Sequence, residues 1–161
     1  MTMKVGIDSY CFHRYFGEVY GHQTPPPFTM TVFDFLDVAR ELRVDGVSLE
    51  SCFLPSFDSA FFSELKARLD EDGFDRVYAW GHPDGLEAGR NEDAFKDMLK
   101  SIEYAVQIGA KVMRICASSF SYRLEPHAPQ MEKLVPWLKE GARVAESYGV
   151  KLAAENHIDY T

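Results

Sequence analysis

Apolar residues recur along the chain in two alternating rhythms, short runs of period two and longer runs in which they return every three or four positions. The first is the rhythm of a strand and the second that of a helix with one buried stripe. Val5–Asp8 reads as a strand and leads into a long loop through Met30. Thr31, with Asp34 three residues on, has the spacing of a capping box, and Phe33, Leu36, Ala39 and Leu42 give the helix Val32–Leu42 its stripe. Gly46–Glu50 is a second strand, and a helix from about Ser59 to Asp72 is closed by Gly73. Arg76–His82 reads as a third strand. Asn91 then caps a helix with Phe95, Met98, Leu99, Ile102, Ala105 and Ile108 on one stripe, ending at Gly109. Lys111–Cys116 is the fourth strand. A helix around Met131–Tyr148, ended by Gly149, precedes the fifth strand, Lys151–Glu155, and Pro136 inside it predicts a kink or a late start.

Strands alternating with helices imply right-handed crossovers and a parallel sheet. Two architectures compete, an open doubly wound sheet and a (β/α) barrel. The segment after the first strand, Gly6-Ile-Asp-Ser-Tyr10, offers a single glycine and no dinucleotide-binding fingerprint. Side-chain parity favours the barrel. Val47 and Leu49 oppose Ser48 and Glu50; Met113 and Ile115 oppose Arg114 and Cys116; Val77 and Ala79 oppose Tyr78, Trp80 and His82. One face of each strand thus turns polar towards its carboxyl end, and Asp8, Glu50, His82, Arg114 and Glu155 are expected to converge on one rim, as at the mouth of a barrel. The expected fold is α/β, a parallel (β/α) barrel of TIM type present as about its first five βα units. Residues 1–161 read as a single domain cut short after strand five, since a closed barrel takes roughly 250 residues.

Composition narrows the function. Lys and Arg number 17 against 25 Asp and Glu, a formal charge of −8 with no basic cluster, which argues against a nucleic-acid partner. Cys11, Cys52 and Cys116 are odd in number, widely spaced and without a Cys-x-x-Cys pair, so they read as buried free thiols of a reduced, cytoplasmic protein and not as a zinc set. No apolar run approaches membrane-spanning length.

Chemistry concentrates where the fifth strand runs into Glu155-Asn156-His157. Read from the residues alone, Glu155 is either a solvated strand-end charge or a carboxylate delivered to the barrel mouth. Arg114 either holds a substrate oxygen, carboxylate or phosphate, or lines the core paired with Asp8 or Glu50. His82 is a substrate-side group or a hydrogen-bonded structural histidine beside Pro83. Tyr10, with Phe12, Tyr15, Phe16, Tyr20 and Phe28, lines a first loop far longer than usual. That loop reads as a lid with an aromatic wall for a sugar ring, or as a cover over the barrel end.

The series Gly-Val-Ser-Leu-Glu50, Ala-Trp-Gly-His82, Val-Met-Arg-Ile-Cys116 and Tyr-Gly-Val-Lys-Leu-Ala-Ala-Glu-Asn-His157 resembles the xylose-isomerase-like barrel superfamily. That superfamily includes sugar phosphate isomerases and epimerases, ketose 3-epimerases, inosose dehydratases and, more distantly, endonuclease IV. The resemblance implies a metal-dependent isomerase or epimerase of a sugar, sugar phosphate or related polyol. Within it Glu155 is both a ligand of a divalent metal (Mn, Mg, Co or Zn) and the catalytic acid/base. Glu50, His82, Arg114, Tyr10 and His157 would be substrate-side residues, with His157 orienting Glu155. The resemblance also implies an aspartate, a histidine and a second glutamate as further ligands on strands six to eight, which these residues do not contain. A dehydratase on the same scaffold (inosose or dehydroshikimate type) and a non-catalytic half-barrel binding module are the alternatives. The expected partner is a small sugar-like molecule, with neither nucleic acid nor membrane, and exposed strand edges make a homo-oligomer possible.

Overall fold

The computed structural model describes residues 3–155. Its elements follow the order β1 (Gly6–Asp8), α1 (Val32–Glu41), β2 (Gly46–Glu50), α2 (Ser59–Glu71), β3 (Asp75–Ala79), α3 (Glu92–Gln107), β4 (Val112–Cys116), α4 (His127–Ser147) and β5 (Lys151–Glu155), with short 3-10 turns after β1, β2 and β4. The five strands form one parallel sheet in the order β1-β2-β3-β4-β5. Each helix is therefore a crossover between neighbouring strands, the arrangement of a barrel arc.

Local chemistry sets the helix starts. Thr31 and Asp34 form a reciprocal capping box on α1, in which Asp34 N–H donates to Thr31 Oγ1 (3.2 Å) and Thr31 N–H to Asp34 Oδ2 (2.8 Å). Asp58 accepts from Phe61 N–H at 2.8 Å on α2, and Asn91 from Ala94 N–H at 2.9 Å on α3. The buried stripes of these helices, Phe35, Leu36 and Ala39, then Phe62, Leu65 and Leu69, then Met98, Ile102 and Ala105, pack on Val47, Leu49, Met113 and Ile115 of the sheet. That layer is the hydrophobic core. Among the described residues no helix is long and apolar enough to cross a membrane.

Several sequence-based boundaries are corrected; α1 and α2 each end one residue early, and β4 begins at Val112, not Lys111. β3 covers Asp75–Ala79, not Arg76–His82; Trp80 N–H still donates to the Arg114 carbonyl at 2.9 Å, but Gly81 N–H turns to the Ser51 side chain (2.9 Å). β1 begins at Gly6, one residue late, as Val5 N–H donates to the Asp45 side chain (2.8 Å). Helix α4 begins at His127, before Met131, and runs through Pro136. Pro129 falls in its first turn, where a missing N–H costs nothing, and Trp137 stacks on Phe95 of α3 at 4.9 Å, anchoring the turn that holds Pro136.

The parity of β3 is also corrected. Backbone register pairs Glu50 with Ala79 and Ala79 with Arg114, and residues paired across a parallel sheet share a face. Val77 and Ala79 therefore lie on the inner face with Ser48, Glu50 and Arg114. Tyr78 and Trp80 point the other way, into the helices, and Trp80 Nε1 donates to Asp97 of α3 at 2.8 Å.

Candidate functional site

The inner face of the arc carries its polar groups at the carboxyl ends of β2, β4 and β5. Register sets Glu50, Ala79, Arg114 and Ala153 side by side across four strands, with Cys116 beside Glu155 one pleat further on. Alanines flank Arg114 on both sides and leave its side chain room to extend. Its Nη2 donates to Glu50 Oε1, and its Nη1 donates both to Glu155 Oε2 and to Cys116 Sγ (3.3 Å). The Cys116 thiol lies 3.7 Å from the same Glu155 oxygen. One guanidinium thus joins the ends of three strands.

Burial grades this cluster. Only 5% of the Glu50 side chain is exposed, against 20% for Arg114 and 36% for Glu155. A carboxylate as buried as Glu50 keeps its charge only beside a cation, and Arg114 provides it. Glu50 is held further through its backbone N–H, which donates to Ser9 Oγ at 2.9 Å. Gly81 closes the other side. A Cβ there would lie 2.9 Å from both Glu50 Oε2 and Cys52 Sγ, so only glycine lets the chain pass this close. Burial raises the pKa of the Cys116 thiol; Arg114 opposes the rise and the Glu155 charge adds to it.

The structure brings together Glu50, Arg114 and Glu155 of the residues expected at the rim. His82 stands apart, stacked on Trp80 (5.2 Å between rings), with Nδ1 accepting the Asp84 N–H at 3.3 Å. His82 lies beyond β3, which ends at Ala79, so strand alternation no longer sets its direction. Asp8 turns back on its own chain, accepting the Tyr10 N–H at 2.7 Å. Tyr10 lies in the first loop with its ring against His13 (5.1 Å) and Phe53 (6.1 Å), and its hydroxyl meets that of Tyr20, which donates to Glu18 at 2.9 Å. Phe12 and Phe16 anchor this loop on Phe35 of α1, and Phe16 stacks on Phe53 at 4.7 Å. The aromatic wall is thus part of the fold, although Tyr10 makes no hydrogen bond to the carboxylate cluster among the described residues. His157 and Asn156 lie outside the described residues.

Two further expectations change. The thiols are not all buried, since Cys11 and Cys52 are exposed and Cys116 is half-buried. Sequence reasoning missed Cys116 and Gly81 as members of the site; strand parity with Arg114 would have found the first, while the second needed the tertiary fold. A hollow of about 660 Å³ lies at the opposite, amino ends of the strands, lined by Gly6, Ser48, Val77 and Val112, and contains none of the cluster.

The divalent metal implied by the resemblance can be tested against the donors present. Among the described residues no group of three or more His, Cys, Asp or Glu is placed to hold a metal ion. Glu155 is a suitable hard ligand, but its Oε2 is already bound to a guanidinium, and Glu50, the other carboxylate on that guanidinium among the described residues, shares the cation. These residues do not by themselves fit a divalent ion.

The chain belongs to the xylose isomerase-like TIM barrel family, whose sequence profile matches residues 36–161. A search of curated protein sequences found no match. Among solved structures it is similar to an L-ribulose 3-epimerase (TM-score 0.69, 17% identity, covering 95% of this chain and 49% of that one). It is similar also to D-psicose 3-epimerase from Clostridium cellulolyticum H10 (0.68, 16%, 93% and 51%) and to 3-keto-D-glucoside 4-epimerase from E. coli (0.65, 18%, 95% and 56%). At these identities the likeness is one of fold. The chain spans about half the length of the structures it matches.

Proposed function

We propose that this chain supplies the first five strands and the Glu155 carboxylate of a sugar isomerase or epimerase, which moves a proton on a carbon next to a carbonyl. The observation that carries the reading is the position of Glu155, at the carboxyl end of β5, with one oxygen held by Arg114 and the other without a partner among the described residues. A base in proton transfer needs that combination, a fixed side chain and a free oxygen. Arg114 spends three of its five N–H groups on Glu50, Glu155 and Cys116, and its remaining donors can meet a hydroxyl or carbonyl oxygen of a sugar-like ligand. The similarity in fold to structures of 3- and 4-epimerases supports the same class. The divalent ion that belongs to this reading, Mn, Mg, Co or Zn, would need ligands beyond Glu155.

Solvent exchange tests the proposal. The purified protein, supplied with Mn²⁺, is incubated in D₂O with a panel of ketoses and aldoses, and deuterium at the carbon beside the carbonyl is followed by NMR. Exchange that disappears in Glu155→Gln is the expected result. No exchange with any sugar, or exchange unchanged by Glu155→Gln, overturns the reading, and a product lighter by one water identifies a dehydratase instead.

A further inference from the structure

We infer that the segment 117–126, between β4 and α4, is a two-position flap at the carboxyl end of the sheet, and that Arg90 is the latch of its closed position. The segment leaves β4 directly after Cys116, whose thiol lies 3.7 Å from Glu155 Oε2, so either position borders the carboxylate cluster. Its stem is fixed, since Leu86 N–H donates to the Cys116 carbonyl at 3.1 Å and Ala88 N–H to the Ala117 carbonyl at 3.2 Å. Its far end enters α4, where Gln130 Nε2 donates to the carbonyls of Tyr122 (2.9 Å) and Glu125 (3.0 Å). Between these, Phe120, Ser121 and 123–126 are exposed, Leu124 to 85%. The side chain that ties this stretch to the connection before α3 is Arg90. Its guanidinium lies 4.2 Å over the Tyr122 ring, its Nη2 donates to Glu125 Oε2, and its Nη1 donates to the Glu87 carbonyl at 3.5 Å.

The closed position carries a cost beside its stem. Ser118 and Ser119 are buried, 8% and 4% exposed, and neither Oγ has a hydrogen-bond partner among the described residues. A buried hydroxyl without a partner opposes the packing that buries it. Swinging the segment outward lets both hydroxyls reach water. The same motion breaks the Arg90 contacts, a part-exposed ion pair and a cation–π contact, each of them weak. Small terms therefore oppose one another, which is what a segment with two populated positions requires. Arg90 acts here as a positioning residue, through Tyr122 and Glu125.

Hydrogen–deuterium exchange read peptide by peptide by mass spectrometry tests this through two opposite signs. Protection of 118–126 should fall about tenfold in Arg90→Gln, where the latch is gone. It should rise about tenfold in Ser118→Ala/Ser119→Ala, where closing no longer strands a hydroxyl. Peptides from β2, β3 and β4 should keep wild-type protection in both. Unchanged protection of 118–126 in Arg90→Gln, or unchanged or lower protection in the serine pair, overturns the inference. If Arg90→Gln loosens the whole chain, Glu125→Ala replaces it, because it cuts the ion pair from the side of the flap; a smaller local fall is then expected, and wild-type protection overturns the inference. The readout needs no substrate, so its failure is distinct from failure of the sugar-epimerase proposal.

Discussion

Arg114 on β4 donates to Glu50 on β2 across the whole width of β3, passing over Ala79, which is the register partner of both. The contact depends on that alanine. A larger inward side chain at position 79 would stand between the charges, and Glu50 would lose its counter-ion.

The two halves of the Arg114 fork should differ in strength. Glu50 is almost wholly buried and Glu155 is one-third exposed, so solvent screens the second pair far more. Double-mutant cycles by urea denaturation, using Glu50→Gln and Glu155→Gln against Arg114→Gln, should give a Glu50–Arg114 coupling of about 1–3 kcal/mol and a Glu155–Arg114 coupling below about 1 kcal/mol. A reversed order would show that the burial argument misplaces the main charge contact.

Gly81 should tolerate no side chain. Gly81→Ala places a methyl group against the Glu50 carboxylate and the Cys52 thiol, and is expected to lower stability by about 1–3 kcal/mol in chemical denaturation. Cys52→Ala removes one of the two obstacles, so the pair Gly81→Ala/Cys52→Ala should recover part of that loss. No recovery would place the whole clash at Glu50.

Acid sensitivity should come in part from the helix caps. The Phe61 N–H, with Ser56 beside it, holds the Asp58 carboxyl below its ordinary value of 3.8, and the Thr31 backbone does the same for Asp34. A carboxylate whose pKa is lower in the folded chain stabilises it above the unfolded value, and that contribution is lost as pH falls from about 3.8 through the lower folded value. Asparagine also caps helices but does not titrate in this range. The combined variant Asp34→Asn/Asp58→Asn should therefore show a shallower decline of thermal midpoint below pH 4 than wild type. An unchanged decline would assign acid sensitivity to other carboxylates.

Much of the fold was legible because its causes are local. The caps Thr31 and Asn91, the helical stripes and the glycines after α2, α3 and α4 act within a few residues of themselves, and sequence spacing shows them directly. Where both local signals were silent, the reading failed. β3 is apolar at Val77, Tyr78, Ala79 and Trp80, so alternation says nothing about which set faces the helices, and Tyr78 and Trp80 were read onto the inner face. In α4, Pro136 suggested a kink or a late start, yet the helix begins at His127 and runs through it, with Trp137 stacked on Phe95 of α3.

By itself the sequence determined the four strand–helix units and the fifth strand that follows them, their parallel order and the arrival of Glu155 at the end of β5, because periodicity, caps and short connections leave little freedom in these. Only the tertiary structure decided which polar groups meet. The distance between Glu50 and Arg114 is set by the register of three strands and the size of Ala79, and that between Gly81, Cys52 and Glu50 by a loop passing over a strand end. Those are sums of many backbone pairings between residues far apart in the chain, and no pattern within a short window of sequence encodes them.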